Sequence, residues 1–389
     1  MAEHYNVVVI GGGIHGAGVA QAAACAGYTA LLIEKTRLAA GSSSRSSKLI
    51  HGGLRYLEGL DFSLVRESLA ERALLLKIAP DLVRLQPFHI PVYAQTSRRP
   101  LTVRAGLSLY AILGKLQRDC RYRKLRRRDW SMLDGLETRD LQAVYRYHDA
   151  QTNDIELTRA VIQSAIDLGA ELRCPAEFLE ADISDTGCRL HYRDASAEHG
   201  CTADVMVNAA GPWVRRVDRR ITPAPGAIPV DLVQGSHLVV EGALNHGCYY
   251  LEVPSDRRAV FLLPWGEHAL LGTTEIRFTG AADDVTPLPE EERYLLDVLQ
   301  HYFPQRSQRV IERFAGLRVL PAAEGAAFGR SRETRLPVDN PDLPRRVSIY
   351  GGKLTGYRAT AGKVMNILGR SLPARKPVAD TATLQLKPS

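Results

Sequence analysis

The chain of 389 residues has few cysteines and no long apolar run, and both features exclude several classes of protein. Its six cysteines are scattered, and the two nearest, Cys188 and Cys201, are 13 positions apart. This spacing excludes a CxxC redox or zinc motif and predicts reduced thiols in a cytoplasmic protein. No apolar run reaches the length of about 18 residues that a membrane-spanning helix needs, and the first residues lack a signal-peptide pattern. No metal-ligand spacing and no GxSxG motif occur, so we expect neither a metal site nor a serine hydrolase.

Positive charge is concentrated in one stretch of the chain. The net charge is +7, and residues 115–128 alone contain eight basic residues and one acid, Asp119. Residues 101–116 are mostly apolar and precede this cluster. An apolar helix followed by basic residues is typical of a contact with an anionic membrane surface through 101–128, although a core helix followed by a solvated loop fits as well. We do not expect a nucleic-acid partner, because no nucleic-acid-binding module accompanies the charges.

The first 34 residues have the pattern of a dinucleotide site. A β-branched run, 5–10, is followed at once by Gly11, Gly13 and Gly16, and then by small apolar residues that predict a helix. A second apolar run, 30–33, ends at Glu34. Glycines let backbone N–H groups approach a pyrophosphate at a helix N-terminus, and an acid at this distance accepts hydrogen bonds from the adenosine ribose. A chance glycine turn is the alternative, but the order of strand, turn, helix, strand and acid favours the dinucleotide.

Two further segments favour a flavin over a nicotinamide. Residues 41–56 are rich in serine and glycine, which suits a loop along a phosphate chain that leads to a ring system; a flexible linker is the alternative. Residues 351–355 form a glycine turn that opens a helix near the other end of the sequence. Its N–H groups could face the flavin O2/N1 edge and stabilise the reduced, anionic ring. A nicotinamide enzyme has no need for this second turn.

The remaining periodicity predicts helices and strands around these motifs. Helices are expected at 61–79, 101–116, 157–168 and 357–368, and strands at 204–208, 237–240, 259–263, 269–271 and 347–350. We predict a discontinuous FAD-binding domain from 1–85, 150–215 and 340–389. A mostly β substrate-binding domain is predicted from 86–149 and 216–339.

One run of residues carries a family resemblance. The sequence SSKLIHGGLRYLE at 46–58 closely resembles the FAD-dependent respiratory, aerobic-type glycerol-3-phosphate dehydrogenases. Further segments match this family in order along nearly the whole chain: 208–214, 235–237, 264–265, 272–274, 315–318 and 351–355 with 357–358. The resemblance implies an α/β fold with a Rossmann-like FAD-binding domain of the glutathione-reductase/D-amino-acid-oxidase type and an inserted, mostly β substrate domain.

The resemblance also implies a reaction. It is the FAD-dependent oxidation of sn-glycerol 3-phosphate to dihydroxyacetone phosphate, with hydride passing from C2 to flavin N5 and electrons passing to quinone. An alternative is a soluble flavin oxidase that acts on glycerol 3-phosphate or another anionic hydroxy compound with oxygen as acceptor. A non-catalytic flavoprotein is a third reading. The corresponding location is cytoplasmic, with the inner face of the cytoplasmic membrane as a peripheral contact.

Site residues follow from the family motifs. Phosphate and substrate contacts are implied for Arg55, Tyr56, Arg332 and Lys353. Arg318 is placed near the reacting hydroxyl, and His237 is the candidate for taking its proton, although a structural role for His237 fits nearly as well. His51 is a second candidate, which we expect to pack near the flavin. The expected FAD-binding residues are Gly11, Gly13, Gly16, Glu34, Ser43, Ser46, Ser47, Lys48, Gly52, Gly53, Ala210, Gly211, Gly352, Lys353, Leu354 and Thr355.

Three departures from the family leave the exact substrate open. The sequence ends at Ser389, where family members usually continue into a helical C-terminal domain, so the oligomeric state and the cover of the substrate side are not predicted. Gln234 stands where the family often has lysine, which suggests one cation fewer near the site. Arg318 lacks the usual following proline, and Glu275 replaces a usual aspartate. These changes are compatible with a related phosphorylated polyol or hydroxy acid.

Overall fold

Two β-sheets form the framework of the protein in a computed structural model, which describes residues 3–226, 228–322 and 333–388. The strands of the described ranges are β1 Glu3–Ile10, β2 Ala30–Ile33, β3 Leu49–Ile50, β4 Val83–Tyr93, β5 Arg123–Lys124, β6 Leu141–Thr152, β7 Glu171–Arg173, β8 Glu177–Ser184, β9 Gly187–Arg193, β10 Glu198–Asn208, β11 Ile221–Thr222, β12 Val230–Glu241, β13 Cys248–Glu252, β14 Ala259–Trp265, β15 His268–Gly272, β16 Ile276–Phe278, β17 Val310–Pro321 and β18 Arg346–Ser348. The α-helices are α1 Ile14–Cys25, α2 Phe62–Ile78, α3 Pro100–Leu113, α4 Asp154–Asp167, α5 Val214–Asp218, α6 Pro289–Tyr302 and α7 Tyr357–Leu368.

The first sheet has a parallel centre. Its order is β11-β8-β9-β10-β1-β2-β7, and β18 also pairs with β10. Strand β1 is parallel to both β2 and β10, and β18 is parallel to β10. Residues Val7–Val9 are fully buried, as expected for a parallel strand that is covered on both faces and therefore apolar throughout. Helix α1 packs against α4 and α7 on one of those faces.

The second sheet is mostly antiparallel. Its order is β16-β12-β15-β14-β13-β4-β6-β3, with β17 beside β12 and β5 beside β6. Apolar side chains of α6 pack on one face of this sheet. Side chains of α2 and α3 pack on the other face, where Leu69 and Tyr110 lie in one cluster with Phe88 and Tyr147. Burial on both faces explains why its central strands are more apolar than a solvent-facing antiparallel strand would be.

Several sequence predictions are confirmed at the level of elements. Helix α7 spans the predicted 357–368, and α2 lies one residue inside the predicted 61–79 at each end. Helix α4 begins at Asp154, three residues before the predicted start. The cause is Asn153, whose side chain accepts hydrogen bonds from the N–H groups of Ile155 and Glu156 and so caps the helix earlier. The last predicted strand is shorter than expected, because β18 ends at Ser348.

Sheet membership shows which parts of the chain are joined. The first sheet takes its strands from residues 3–33, 171–222 and 346–348, and the second from 49–50, 83–152 and 230–321. The division into two domains at the stated boundaries stays a prediction. No helix in the described ranges is both long enough and apolar enough to cross a membrane.

Candidate active site

A single cleft of about 460 Å³ joins the two sheets and gathers most of the residues expected in the site. The carboxyl ends of β1 and β2 and the turn after β10 line one part of it. Loop 40–56 and residues of β12, β14 and β17 line the rest. Ligands of parallel α/β sheets bind outside the carboxyl ends of the strands, and this cleft has that position.

The glycine turn after β1 is shaped for close approach. Gly11 has a φ of +112°, and a Cβ added to it would lie 2.7 Å from the carbonyl oxygen of Ala209. A Cβ at Gly16 would lie 1.9 Å from the Gly11 carbonyl oxygen, so α1 could not approach the turn with any larger residue. Helix α1 begins directly after Gly13, and the beginning of the helix lines the cleft. The positive end of a helix dipole therefore lies at the position that a pyrophosphate needs.

The Glu34 carboxylate is held in the cleft by backbone donors. One oxygen accepts a hydrogen bond from the N–H of Gly12, and the other accepts from the N–H of Thr36, each at 2.8 Å. Ser43 adds a hydroxyl beside the same turn, and its Oγ accepts from the N–H of Ile14 at 2.9 Å. A glycine cradle, a helix N-terminus and an oriented carboxylate are the groups that hold the ADP half of FAD, so the residues present fit this cofactor.

Loop 41–48 is fixed from behind by a buried ion pair. The Lys48 ammonium lies 2.6 Å from Asp154 Oδ1 and 2.6 Å from the Ser44 carbonyl oxygen, and both charged side chains are almost fully buried. Ser46 donates its hydroxyl to Asp154 Oδ2 at 2.6 Å. Lys48 does not line the cleft, and its ammonium group is paired with the Asp154 carboxylate. The structure therefore assigns it an anchoring position, and its predicted contact with the cofactor stays a prediction.

Two cationic side chains that line the cleft contact the same aromatic ring. The Arg55 guanidinium carbon lies 5.1 Å from the centre of the Tyr56 ring, and Lys353 Nζ lies 3.8 Å from it. All three residues line the cleft. Burial tends to lower the pKa of Arg55, but Tyr56 and Glu275 raise it, so this guanidinium keeps its charge. The arrangement offers two positive groups and a phenol to a small anion.

His237 and Arg318 lie on adjacent strands beside these cations. His237 stacks on Phe314, which lies opposite it in β17, with 5.0 Å between the ring centres. Its Nε2 lies 2.9 Å from Ser47 Oγ. Arg318 donates to Thr273 Oγ1 at 3.1 Å. Burial, with the charges of Arg318 and Lys48, holds the pKa of His237 well below its usual range. The imidazole is therefore neutral.

His51 connects the loop after β3 to the turn 351–355. Its backbone N–H donates to Thr355 Oγ1 at 3.1 Å, so the loop after β3 is tied to the turn before α7. The ring centres of His51 and Tyr56 are 6.4 Å apart. The position is consistent with packing near the cofactor.

Most of the expected residues lie in this one cleft. Those that line it are Gly11, Gly13, Glu34, Ser43, Ser46, Ser47, His51, Arg55, Tyr56, Ala210, Gly211, His237, Arg318, Gly352, Lys353, Leu354 and Thr355. Four described residues of the expected set lie behind the lining: Gly16, Lys48, Gly52 and Gly53. Gly52 packs closely against the Tyr110 hydroxyl and Leu69. Arg332 lies outside the described residues.

Gln234 also differs from its expected place. Its side chain is buried away from the cleft and donates to Glu291 Oε2 at 2.6 Å and to the Thr286 carbonyl oxygen at 2.8 Å. The Glu291 carboxylate also accepts from Ser236 at 2.7 Å. Gln234 is thus part of a buried polar network, and its neutrality removes no cation from the lining of the cleft.

Sequence reasoning missed two contributors to the lining. His15, in the first turn of α1, contacts the second turn: a Cβ on Gly352 would lie 2.2 Å from His15 Nε2. Burial lowers the pKa of His15 to about 4. The available signal was a polar residue within a run of small apolar ones. Asp283 accepts hydrogen bonds from Trp213 at 2.8 Å and Arg216 at 2.7 Å over one end of the cleft, and a separation of 70 positions left no local signal.

Comparison with known proteins agrees with this geometry. The chain matches the FAD dependent oxidoreductase family over residues 6–352. It is 36% identical over 375 residues to the glycerol-3-phosphate dehydrogenase of Pseudomonas aeruginosa, with 95% of this chain and 72% of the relative covered. It is 35% identical over 390 residues to the D-erythritol 1-phosphate dehydrogenase of Brucella abortus, with 95% and 75% covered.

A solved structure has the same fold. The glycerol-3-phosphate dehydrogenase from Bacillus halodurans, complexed with FAD, superposes with a TM-score of 0.76 at 24% identity. The superposition covers 98% of this chain and 68% of that one. The predicted fold class and the FAD cofactor are therefore confirmed.

Proposed function

The chain belongs to the FAD-dependent glycerol-3-phosphate dehydrogenase family, and we propose that it oxidises sn-glycerol 3-phosphate to dihydroxyacetone phosphate and passes the electrons to quinone. The observation that carries the proposal is the pairing of Arg55 and Lys353 on the Tyr56 ring. These two cations share one cleft with the neutral His237 and the glycine cradle. A phosphate monoester with a neighbouring secondary alcohol suits this combination of charges and base.

The cofactor is held by residues at the carboxyl edge of the first sheet. The N-terminus of α1 would hold the pyrophosphate and Glu34 would accept hydrogen bonds from the ribose, with Ser43 beside the same turn. The turn 351–355 lines the cleft just before α7 begins at Tyr357. When bound, FAD supplies the N5 atom that accepts the hydride from C2 of the substrate.

The substrate phosphate binds between Arg55 and Lys353. A guanidinium offers two parallel donors that match phosphate oxygens, and the ammonium adds a compact charge. Tyr56 holds both cations at one ring, so they face the same ligand. Arg332 stays a prediction from the family motifs as a further phosphate contact.

His237 takes the proton of the C2 hydroxyl. Loss of that proton and of the C2 hydride leaves a carbon–oxygen double bond, so the products balance as a ketone, a proton on the imidazole and a hydride on the acceptor. Ser47 fixes the ring orientation through Nε2, and Arg318 stabilises the negative charge that develops on the oxygen. His51 is the second candidate for the proton acceptor.

D-Erythritol 1-phosphate is the second candidate substrate. The observation that favours it is the 35% identity to the Brucella abortus dehydrogenase, which is close to the value for the Pseudomonas aeruginosa relative. Both substrates carry a phosphate monoester near a secondary alcohol, so the same cations serve either one. The two substrates differ in the length of the polyol chain.

The test is anaerobic reduction of the flavin. Purified holoenzyme is mixed with sn-glycerol 3-phosphate or D-erythritol 1-phosphate, and the flavin absorbance is followed. We expect prompt bleaching with the first compound, slower bleaching with the second, and loss of bleaching at low substrate concentration in Arg55→Gln. Arg84→Gln, at an exposed position outside the cleft, is the matched control. A bound flavin that dithionite bleaches and neither phosphate bleaches would overturn the proposal.

The acceptor and the membrane contact are proposed together. Helix α3 and the segment after it expose Leu101, Ile112 and Leu116, each more than half accessible, and the basic stretch 115–128 follows. Exposed apolar side chains beside basic residues favour an anionic membrane surface, where quinone is available. Arg126, Arg127 and Arg128 replaced together by Gln should weaken binding to phosphatidylglycerol vesicles. Unchanged binding would contradict the surface role, and prompt peroxide formation in air without quinone would assign oxygen as the acceptor.

A further inference from the structure

A row of basic side chains crosses one edge of the second sheet, away from the cleft. Strands β5, β6 and β4 lie side by side, with Arg123 opposite Arg146 and Arg146 opposite His89. Residues directly opposite each other project from the same face of an antiparallel sheet. His148 lies two positions after Arg146 on β6 and therefore shares that face.

The charges of Asp119 and Asp134 act on the histidines of this row, but within the described ranges neither carboxylate forms an ion pair with Arg123 or Arg146. Among the described residues, the buried Nε of Arg146 and the buried Nδ1 atoms of His89 and His148 have no hydrogen-bond partner. The two nearby carboxylates are engaged elsewhere. Asp119 pairs with Arg72 at 2.7 Å, and Asp134 accepts from Tyr249 at 2.7 Å.

The electrostatics of the row are unfavourable without a ligand. Burial and the charge of Arg123 lower the pKa of Arg146. Burial and the charge of Arg146 lower the pKa of His89 to about 4, and the same two causes lower that of His148. Like charges directly opposite on neighbouring strands destabilise a sheet. An anion between them converts this repulsion into attraction, and neutral imidazoles still supply N–H donors.

We propose that Arg123, Arg146 and His148, with His89 behind them, bind a phosphate-class anion, supplied either as free phosphate or as the headgroup of an anionic lipid. Two guanidinium groups give forked donors that match a tetrahedral anion better than a single carboxylate. The site is separate from the substrate subsite, because none of these four residues lines the cofactor cleft. Arg123 is exposed while Arg146 and His148 are half-buried, so a ligand can enter from solvent.

Thermal denaturation of the holoenzyme in increasing inorganic phosphate, at constant ionic strength, tests the site. We expect the apparent phosphate dissociation constant to rise about tenfold in Arg146→Gln and to be unchanged in Arg84→Gln. The second variant removes the same charge from an exposed position on β4, outside the basic stretch 115–128. Phosphate that enters the cleft affects both variants equally and so cancels in the comparison. Equal phosphate dependence in the two variants would overturn the proposal.

A vesicle experiment distinguishes the two sources of phosphate. Binding to phosphatidylglycerol vesicles that falls further in Arg146→Gln than in Arg84→Gln assigns the lipid headgroup. Equal vesicle binding, together with a lost phosphate effect, assigns the free anion. Arg123→Gln, at an exposed position, gives the same comparison if Arg146→Gln does not fold.

Discussion

Hydrogen bonds to neighbouring backbone groups fix the orientation of individual side chains in this cleft. Glu34 uses both carboxylate oxygens to join the glycine turn to the segment after β2, since one binds the N–H of Gly12 and the other the N–H of Thr36. Glu34 also lines the cleft. The same side chain therefore shapes the turn and lies where we propose that the ribose binds.

Glu34→Gln should weaken FAD binding about tenfold or more. The amide nitrogen of Gln cannot accept a hydrogen bond, so one of the two backbone donors is left without its acceptor, and a hydrogen bond to a charged group is worth about 1.5–3 kcal/mol. The measurement is the FAD retained after dialysis, followed by absorbance. Glu180→Gln, at an exposed position on β8, should retain the full amount, and equal retention by both variants would contradict the assignment.

His237→Asn should lower kcat by about 10²- to 10⁴-fold with a smaller effect on KM, since Asn cannot take a proton. In the unsubstituted enzyme, a pKa held well below 6.5 keeps the imidazole neutral as the medium becomes acidic. The acid limb of the kcat/KM profile should therefore lie below pH 6.5. A variant with nearly full kcat, or an acid limb above pH 6.5, would leave His237 a structural residue.

The glycines of the turn and the acid after β2 could be predicted, because local geometry fixes their spacing in the sequence. Gly11, Gly13, Gly16 and Glu34 belong to one strand–helix–strand unit. The contacts of Lys48 could not be predicted in the same way. Its partner Asp154 lies 106 positions away, and a serine-rich loop gives no sign of which charged side chain turns inward.

At the scale of elements, helix α4 holds loop 41–48 in position. Asp154 is its first residue and is fully buried. Its carboxylate accepts from the Lys48 ammonium and from both the N–H and the hydroxyl of Ser46. Loop 41–48, which comes after β2, is thus attached to a helix that packs against α1.

Asp154→Asn should destabilise the protein by about 3–5 kcal/mol, because it leaves the buried Lys48 without its partner. The loop should also become less ordered, and FAD affinity should fall with it. Urea denaturation and FAD retention measure the two effects. Glu156→Gln, at an exposed position in the same helix, should change neither, and a comparable loss in both variants would contradict the anchoring role.

The positions of the helices could be predicted from apolar periodicity, but the pairing of the short strand β3 in the second sheet could not. The run 357–368 predicted α7 because one face alone is apolar. Strand β3 contains only Leu49 and Ile50, and it pairs with Gln151 and Ala150 of β6. Two residues carry no periodic signal, so tertiary packing decides this pairing.

Across the whole molecule, neutral buried histidines set the dependence of stability on pH. The pKa of His15 and that of His89 are each lowered to about 4, chiefly by burial. In the unfolded chain each imidazole takes up a proton near pH 6.5, while the folded protein resists protonation until about pH 4. The unfolded state therefore binds more protons in this interval, and stability falls as pH falls from 6.5 towards 4.

The loss between pH 7 and pH 5 should be about 2 kcal/mol from His89 alone. Urea unfolding midpoints in a phosphate-free buffer measure it. In His89→Asn the midpoint should be lower at pH 7 and should fall less between the two pH values. An identical fall in both proteins would show that His89 does not contribute.

The first sheet also joins two distant parts of the sequence at the cleft. Strand β18, residues 346–348, lies beside β10, and the turn at 351–355 lines the cleft that begins with Gly11. During synthesis on the ribosome, the glycine turn must therefore wait until more than 300 further residues have been added. A nascent chain that has not reached residue 352 lacks one wall of the cleft, so we expect it to release FAD more readily than the chain that includes this turn.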